Sequence, residues 1–368
     1  MSSTNRALVP PSVASLSPYV AGRSVEEVSS TYNLRHVVKL ASNENPLGPS
    51  PLAVARMRDS LDRLHLYPTG LDLRLTLAER FGTKVENVVT GSGSEGIMAN
   101  IVRTFFCDDD EALTSEGTFI GFEVLARGRG IPVRTVPLRA DWHIDLPALA
   151  AAITDRTKII YLANPNNPTG TIFSKQEFDA FYKHVPERVL IILDEAYFEY
   201  AKDNARYPDS MFYRYDNVIT LRTFSKIYGL AGVRIGYGFA HEELIANLMK
   251  VKLPFEPSTL GGAAGIGALA DREFLHRSLE HNARGMRTVT RDLEHIGFHP
   301  VPSEANFLMV PLDSAEEAQR LTQALVERGV IIRHLASFGI PNAIRISIGT
   351  GDENAFLFET LQQVMAAA

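Results

Sequence analysis

Three polar clusters in this chain each begin where a run of apolar residues stops. Ile159–Leu162 leads into Asn164–Gly170, which contains Asn167; Val189–Leu193 leads into Asp194–Tyr197; Val218–Leu221 leads into Thr223–Lys226. A lysine amine forms an imine with an aldehyde only when it is neutral. Burial favours that form, which makes Lys226 a candidate nucleophile. Asp194 follows a wholly apolar stretch, where a carboxylate without a positive partner is costly. A protonated pyridine nitrogen is such a partner, and a ring kept protonated is an electron sink for a carbanion. Asn167 and Tyr197 are neutral groups able to hydrogen-bond an oxygen on that ring. A phosphate calls for backbone amides, hydroxyls and an arginine. The turn Gly91–Ser94 ahead of a helical stretch, together with Thr223, Ser225 and Arg234, offers all three. These are the groups that pyridoxal 5′-phosphate requires, with Lys226 holding it as a Schiff base.

For these residues to meet, the apolar runs must lie side by side. The runs at Val88–Thr90, Ile159–Leu162, Val189–Leu193 and Val218–Leu221 are continuous rather than alternating. That pattern belongs to strands covered on both faces of a mostly parallel sheet. Their pitch of roughly thirty residues is that of successive strand–helix–strand units. In open α/β sheets ligands bind beyond the carboxyl ends of the strands, where Asn167, Asp194, Tyr197 and Lys226 would share one crevice. After Pro254 the texture changes. A Gly/Ala-rich stretch (Gly261–Ala270) precedes charged helical segments at Arg272–Ile296 and Ser314–Arg328, with short strand-like runs at Asn306–Val310 and Ala343–Ile348. The expected division is an N-terminal arm over residues 1–45 packing on the smaller domain, a large α/β domain over 46–256, and a smaller α+β domain over 257–368.

Composition narrows the function classes. Of 368 residues 45% are hydrophobic and 22% charged, the values of a globular protein, and the formal charge is −6, which gives no basic face for nucleic acid. Cys107 is the only cysteine, excluding an internal disulfide and a cysteine-based metal site. The ten histidines have no metal-ligand spacing, so no metal is expected. No apolar run has the length of a membrane span or a signal peptide, and a cytoplasmic protein is expected.

The run Thr223–Arg234, with its fixed step from Lys226 to Arg234, resembles the lysine motif of fold-type I aminotransferases. Asn167–Gly170 and Asp194–Tyr197 are similar to two further motifs of that family. Lys39–Gly48, Tyr67–Pro68 and Ile344–Thr350 resemble its histidinol-phosphate aminotransferase branch. The resemblance implies a large domain with a mostly parallel seven-stranded sheet flanked by helices. It implies transamination between glutamate and 2-oxoglutarate on one side and histidinol phosphate on the other, within histidine biosynthesis, by a homodimer with composite sites. It assigns Lys226 as the cofactor lysine and proton carrier, Asp194 to the pyridinium, and Asn167 and Tyr197 to the ring hydroxyl. Ser92, Gly93, Ser94, Thr223, Ser225 and Arg234 would hold the phosphate, Phe119 would stack on the ring, and Tyr67 would reach the neighbouring subunit's cofactor. Arg345 would pair with the substrate α-carboxylate, while Tyr19, Asn43 and Arg333 would meet the rest of the substrate. Two features depart from the branch: Phe119 stands where tyrosine is usual, and Gly91–Gly96 lacks the usual acidic pair, Glu95 filling one place.

Other readings exist for single residues. A lysine after a strand is commonly a solvated loop residue, and an aspartate there commonly caps a helix. Tyr197 and Asn167 could be core or turn residues, Arg333 and Arg345 surface residues in ion pairs. Tyr19 and Tyr67, each beside a proline, could simply pack on turns. Gly91–Gly96 also satisfies a dinucleotide-binding pattern, which makes an NAD-dependent dehydrogenase the rival enzyme class. That fingerprint wants an acidic residue ending the next strand, about twenty residues on, whereas Asp108–Asp110 precedes it. Aromatic amino-acid aminotransferases and phosphothreonine-type decarboxylases share the same motifs. A ligand-sensing module fused to a DNA-binding domain would need a segment and a basic surface that this chain lacks.

Overall fold

The protein is described by a computed structural model covering residues 8–18, 22–213 and 215–367. Its strands are β1 (Val38–Lys39), β2 (Val88–Gly91), β3 (Glu111–Ser115), β4 (Val133–Val136), β5 (Thr157–Ala163), β6 (Leu190–Asp194), β7 (Val218–Thr223), β8 (Gly236–Phe239), β9 (Phe307–Pro311), β10 (Val330–Ile331), β11 (Arg333–His334) and β12 (Ala343–Ser347). Seven of them form one sheet in the order β2-β8-β7-β6-β5-β3-β4. Only β8 runs against its neighbours, β2 and β7; the other pairs are parallel.

The continuous apolar runs are strands because both faces of the sheet are covered. Along β5, Ile159, Tyr161 and Ala163 pack with Ile97, Ile101 and Phe122 on one face, while Ile160 and Leu162 pack with Phe173, Phe178 and Phe181 on the other. Each fully buried aliphatic side chain contributes about 1.5–3 kcal/mol, which favours apolar residues along Ile159–Leu162 and Leu190–Leu193. That is why the polar clusters sit at the tips.

β9, β11 and β12 form a separate antiparallel sheet backed by the helices Arg272–His295, Ala315–Val326 and Gly351–Ala366. Val38 and Leu40 share the core of this unit with Leu308, Leu325, Ile346 and Leu357, and β1 pairs parallel with β10. The first described helix, Pro11–Ala14, packs instead on the helix Ile120–Arg129 of the large sheet. The helix Thr259–Ala270, just past the expected division at 257, packs with Ala53, Leu73, Leu77 and Tyr237. Its glycines explain the close contact: a Cβ on Gly267 would lie 2.5 Å from the Leu52 carbonyl oxygen. The core of the large part therefore continues to Ala270, which places our division between the two parts near Asp271. No helix among the described residues is long and apolar enough to cross a membrane.

Candidate active site

The ends of β5, β6 and β7 open on a cavity of about 150 Å³ lined by Asn167, Asp194, Tyr197, Thr223, Ser225 and Lys226. Ser94, Glu95, Phe119, Tyr161 and Arg234 line it as well. The sequence-derived cluster is thus assembled by strand order alone.

Asp194 is 5% exposed and ends β6. Its Oδ2 accepts from the Tyr161 hydroxyl at 2.8 Å and its Oδ1 from the Ala196 N–H at 3.2 Å. Burial pushes the carboxyl up to about 6, even though these two donors and Lys226 favour the ionised form. The Lys226 Nζ donates to the Ser42 carbonyl at 3.2 Å and lies 5.8 Å from the Tyr197 ring centre. Burial, then the nearby Arg345 charge, lowers its amine to about 8. An amine so poised is neutral in a useful fraction of molecules near neutral pH, as imine formation demands. Tyr197 is buried; its hydroxyl accepts from Asn43 Nδ2 at 2.8 Å, and burial pushes it up to about 12. It stays a phenol, able to donate.

Asn43 has φ 56° and is itself fixed. Its N–H donates to Ser347 Oγ at 2.8 Å, the Ser347 hydroxyl returns to Asn43 Oδ1 at 2.9 Å, and Asn306 Nδ2 donates to its carbonyl at 3.1 Å. Arg345, 5% exposed on β12, donates to Asn167 Oδ1 and, at 2.7 Å, to the Ala41 carbonyl. Arg333 on β11 stands directly opposite Arg345 in the antiparallel register, so both arginines share one face. Arg333 also donates to Ser337 Oγ at 3.3 Å, and both guanidiniums lie over the Phe338 ring.

At the other end of the crevice, Ser92 precedes the helix Gly93–Phe105, whose N-terminal amides favour an anion. Gly93 has φ 77°, and a Cβ there would lie 2.8 Å from Arg234 Nη2. A Cβ on Gly236 would lie 2.4 Å from the Ser94 nitrogen. Only glycine fits either place. The Thr223 hydroxyl donates to Ser225 Oγ at 2.9 Å and accepts from the Ser225 N–H at 3.1 Å. The Ser92 hydroxyl donates to Glu256 Oε1 at 2.7 Å, a carboxylate the sequence did not bring to this turn. Buried carboxylate, amine of lowered basicity, ring-sized gap and an amide-and-guanidinium cradle together fit pyridoxal phosphate.

Tyr67 is not part of this cavity. It is 79% exposed and stacks on Phe255 with ring centres 4.1 Å apart. Tyr19 lies outside the described residues. Among the described residues no His, Cys, Asp and Glu group gathers to hold a metal.

Besides Glu256, two features escaped the sequence. In the sequence Tyr161 is simply one residue of the apolar run Ile159–Leu162, and its hydroxyl is found on Asp194. Behind the site, Arg222 is fully buried, donating to Glu195 Oε2 at 2.9 Å and to Asp209 Oδ1 at 2.8 Å over the Phe198 ring. Glu195 follows Asp194 and Arg222 precedes Thr223, so this pair ties together the two strand tips that carry the site. A glutamate and an arginine at adjacent strand ends were the available signal.

Residues 35–361 match the family described as "Aminotransferase class I and II", and the chain belongs to it. Within that family its curated relatives include histidinol-phosphate aminotransferases. The protein of that name from Anaeromyxobacter sp. (strain Fw109-5) is 41% identical over 364 residues, covering 98% of this chain and 100% of the relative. The one from Moorella thermoacetica is 41% identical over 359 residues, 96% of this chain and 92% of that one. Among solved structures, histidinol-phosphate aminotransferase from Sinorhizobium meliloti, in complex with pyridoxal-5′-phosphate, matches with a TM-score of 0.89 and 31% identity over 100% of both chains. The dinucleotide reading of Gly91–Gly96 is thereby set aside: that turn belongs to an aminotransferase fold.

Proposed function

We propose that this chain is a pyridoxal-phosphate-dependent transaminase of histidinol phosphate, with glutamate and 2-oxoglutarate as the second pair, serving histidine biosynthesis in the cytoplasm. The observation that supports the substrate class is the pair of arginines, Arg345 and Arg333, opposed across β12 and β11, with Arg345 bonded to Asn167 of the Lys226–Asp194 crevice. The bound cofactor supplies the electron sink for the carbanion formed at the amine-bearing carbon. Asp194 holds a proton on the ring nitrogen, and Tyr197 and Asn167 fix the ring oxygen. Lys226 Nζ, of lowered basicity, takes the proton from the reacting carbon and returns it one position away. Ser92, Gly93, Ser94, Thr223, Ser225 and Arg234 hold the phosphate, and Phe119 covers one ring face. Arg345 grips the α-carboxylate of glutamate. Arg333, with Tyr19, meets the distal phosphate of histidinol phosphate, and Asn43 acts on the substrate side by holding Tyr197.

The second subunit enters through surface chemistry. Leu61, Leu64, Leu66, Tyr67, Leu71 and Phe255 are exposed large apolar residues close in sequence or stacked on one another, a patch that fits burial against a second copy. Tyr67 in that patch reaches the partner's cofactor phosphate.

The test is a panel of amino donors and acceptors with purified holoenzyme. Histidinol phosphate with 2-oxoglutarate should give the highest kcat/KM. A preference for phenylalanine or tyrosine would replace this reading with an aromatic amino-acid aminotransferase, and carbon dioxide release from a phosphorylated amino acid would replace it with a decarboxylase.

A further inference from the structure

Tyr161 is two residues before the end of β5, and Asp194 ends β6. In the register Ala163 faces Asp194 and Tyr161 faces Ile192, so Tyr161 and Asp194 are diagonal neighbours on one face of the sheet. A diagonal of this kind is within reach of a long aromatic side chain. The Tyr161 ring is wholly buried and stacked on Phe122, with centres 4.9 Å apart and planes 9° from parallel. Its position is therefore set by packing, and its hydroxyl arrives on Asp194 Oδ2 at 2.8 Å. A phenylalanine would fill the same space. A buried phenol is costly unless its proton has an acceptor, and here the acceptor is the carboxylate at the centre of the site.

We infer that Tyr161 is a positioning residue that acts through Asp194, fixing the carboxylate and keeping the shared proton on the ring nitrogen of the bound cofactor. The inference rests on the role proposed above for Asp194. With Tyr161 on Oδ2 and the Ala196 N–H on Oδ1, the carboxylate cannot rotate without breaking two bonds, so its remaining lone pairs keep a fixed direction. The phenol also draws electron density from the carboxylate. A less basic carboxylate leaves the proton on the nitrogen, where it makes the ring an electron sink.

The other groups facing Asp194 cannot replace this donor. Lys226 is drawn towards its neutral form, and Glu95 is acidic and opposes ionisation of the aspartate. Tyr197 accepts from Asn43, and its own proton is assigned above to the ring oxygen of the cofactor. Burial and the neighbouring Asp194 charge hold the Tyr161 hydroxyl well above the usual phenol range, so it stays a donor across the working pH.

The test is Tyr161→Phe in the holoenzyme, loaded with cofactor labelled with 15N in the ring, whose chemical shift reports whether the ring nitrogen carries a proton. Without the donor Asp194 becomes more basic and takes the proton more readily. The ring-nitrogen midpoint should fall by about one pH unit or more, and kcat should fall about tenfold to a hundredfold with little change in KM. The variant should bind cofactor at the same stoichiometry and unfold at nearly the same temperature, since the ring stack on Phe122 is kept. A double-mutant cycle guards against a purely structural effect. In an Asp194→Asn background, Tyr161→Phe should cost almost nothing further, because its path of action is gone. An unchanged 15N midpoint in Tyr161→Phe, or a full additional loss in the Asp194→Asn background, overturns the inference. A ring nitrogen already unprotonated in the unaltered enzyme overturns the Asp194 role itself, which separates the two failures.

Discussion

Arg345 and Arg333 offer a crossed perturbation whose outcome follows from where each guanidinium sits. Arg345→Met removes a side chain that is 5% exposed, bonded to Asn167 and the Ala41 carbonyl, and flanked by Phe307 at 5.2 Å and Phe338 at 5.6 Å. Methionine fills the aromatic slot, so packing is largely kept. On the role proposed for Arg345, what is lost is a charge-assisted grip on an α-carboxylate, about 1.5–3 kcal/mol, or roughly ten- to a hundredfold in KM for glutamate. The Ala41 carbonyl and Asn167 Oδ1 also lose a donor, which adds about 1–3 kcal/mol against the fold if water does not reach them. Thermal unfolding measures that part separately. Histidinol phosphate has no α-carboxylate, so its KM should rise less. Arg333 is half-buried on the neighbouring strand, and Arg333→Met should reverse the pattern: a ten- to hundredfold rise for histidinol phosphate and a small one for glutamate. The assay is steady-state kinetics of each half-reaction with saturating partner. If Arg333→Met weakens aromatic amino acids and histidinol phosphate equally, the phosphate end is wrongly placed. If both variants depress both substrates alike, the opposed arginines act as one structural pair and the argument fails.

Other perturbations address the rest of the site. Lys226→Ala should abolish the visible absorption band of the bound cofactor and multiple turnover while leaving the unfolding temperature close to normal; continued turnover would move the lysine role elsewhere. Because burial lowers Lys226 to about 8, its amine is charged below that pH and neutral above it, so attachment of cofactor to apoprotein should speed up about tenfold per unit as pH rises towards 8 and then level off; a flat profile between pH 6 and 8 would contradict it. Gly236→Ala should weaken cofactor binding and cost about 1–3 kcal/mol of stability in denaturant titration, since its methyl would sit 2.4 Å from the Ser94 nitrogen; an unaffected variant would mean that the turn yields freely. Mixing Tyr67→Phe subunits with Lys226→Ala subunits should restore activity above either parent, because one composite site in the mixed dimer is intact; no gain after confirmed exchange would place Tyr67 within its own chain.

What the sequence made legible follows from burial. The strands β2, β5, β6 and β7 could be read because both faces of the sheet are covered, and the first polar residue after each marks its tip. β8 could not be read that way. Gly236 and Gly238 carry no apolar side chain, and they are glycine because neighbouring backbone passes too close for a Cβ, 2.8 Å from the Thr220 carbonyl at Gly238. Close approach likewise explains the helix Thr259–Ala270, whose small residues looked like a change of domain and instead fit it against the helix Pro51–Arg58. Lys226, Asp194, Tyr197, Asn167 and Arg234 were legible as a crevice because strand order brings tips together. Tyr161 was not, since a tyrosine inside an apolar run has the same hydrophobic pattern as a phenylalanine. Glu256 was not, since nothing local ties a residue after a helix to a turn far back in the chain.

The segment from Val38 to Gly48 has a consequence for the order in which the molecule is made. β1 pairs with β10, Ser42 receives Lys226, Asn43 meets Ser347, and Ala41 receives Arg345 across 304 positions of chain. Contacts of such separation must wait for loop closure and form late in folding. During synthesis the strand tips bearing Asp194 and Lys226 emerge well before β12 exists, so a nascent large domain would present the Lys226 amine without Arg345 beside it. Only once β12 has been made can Arg345 reach the Ala41 carbonyl and Ser347 bond Asn43, which holds Tyr197. The pieces that brace Asn43 and the Ala41 carbonyl thus come from the far side of the sequence, and a chain interrupted before β12 would leave both acceptors without their donors.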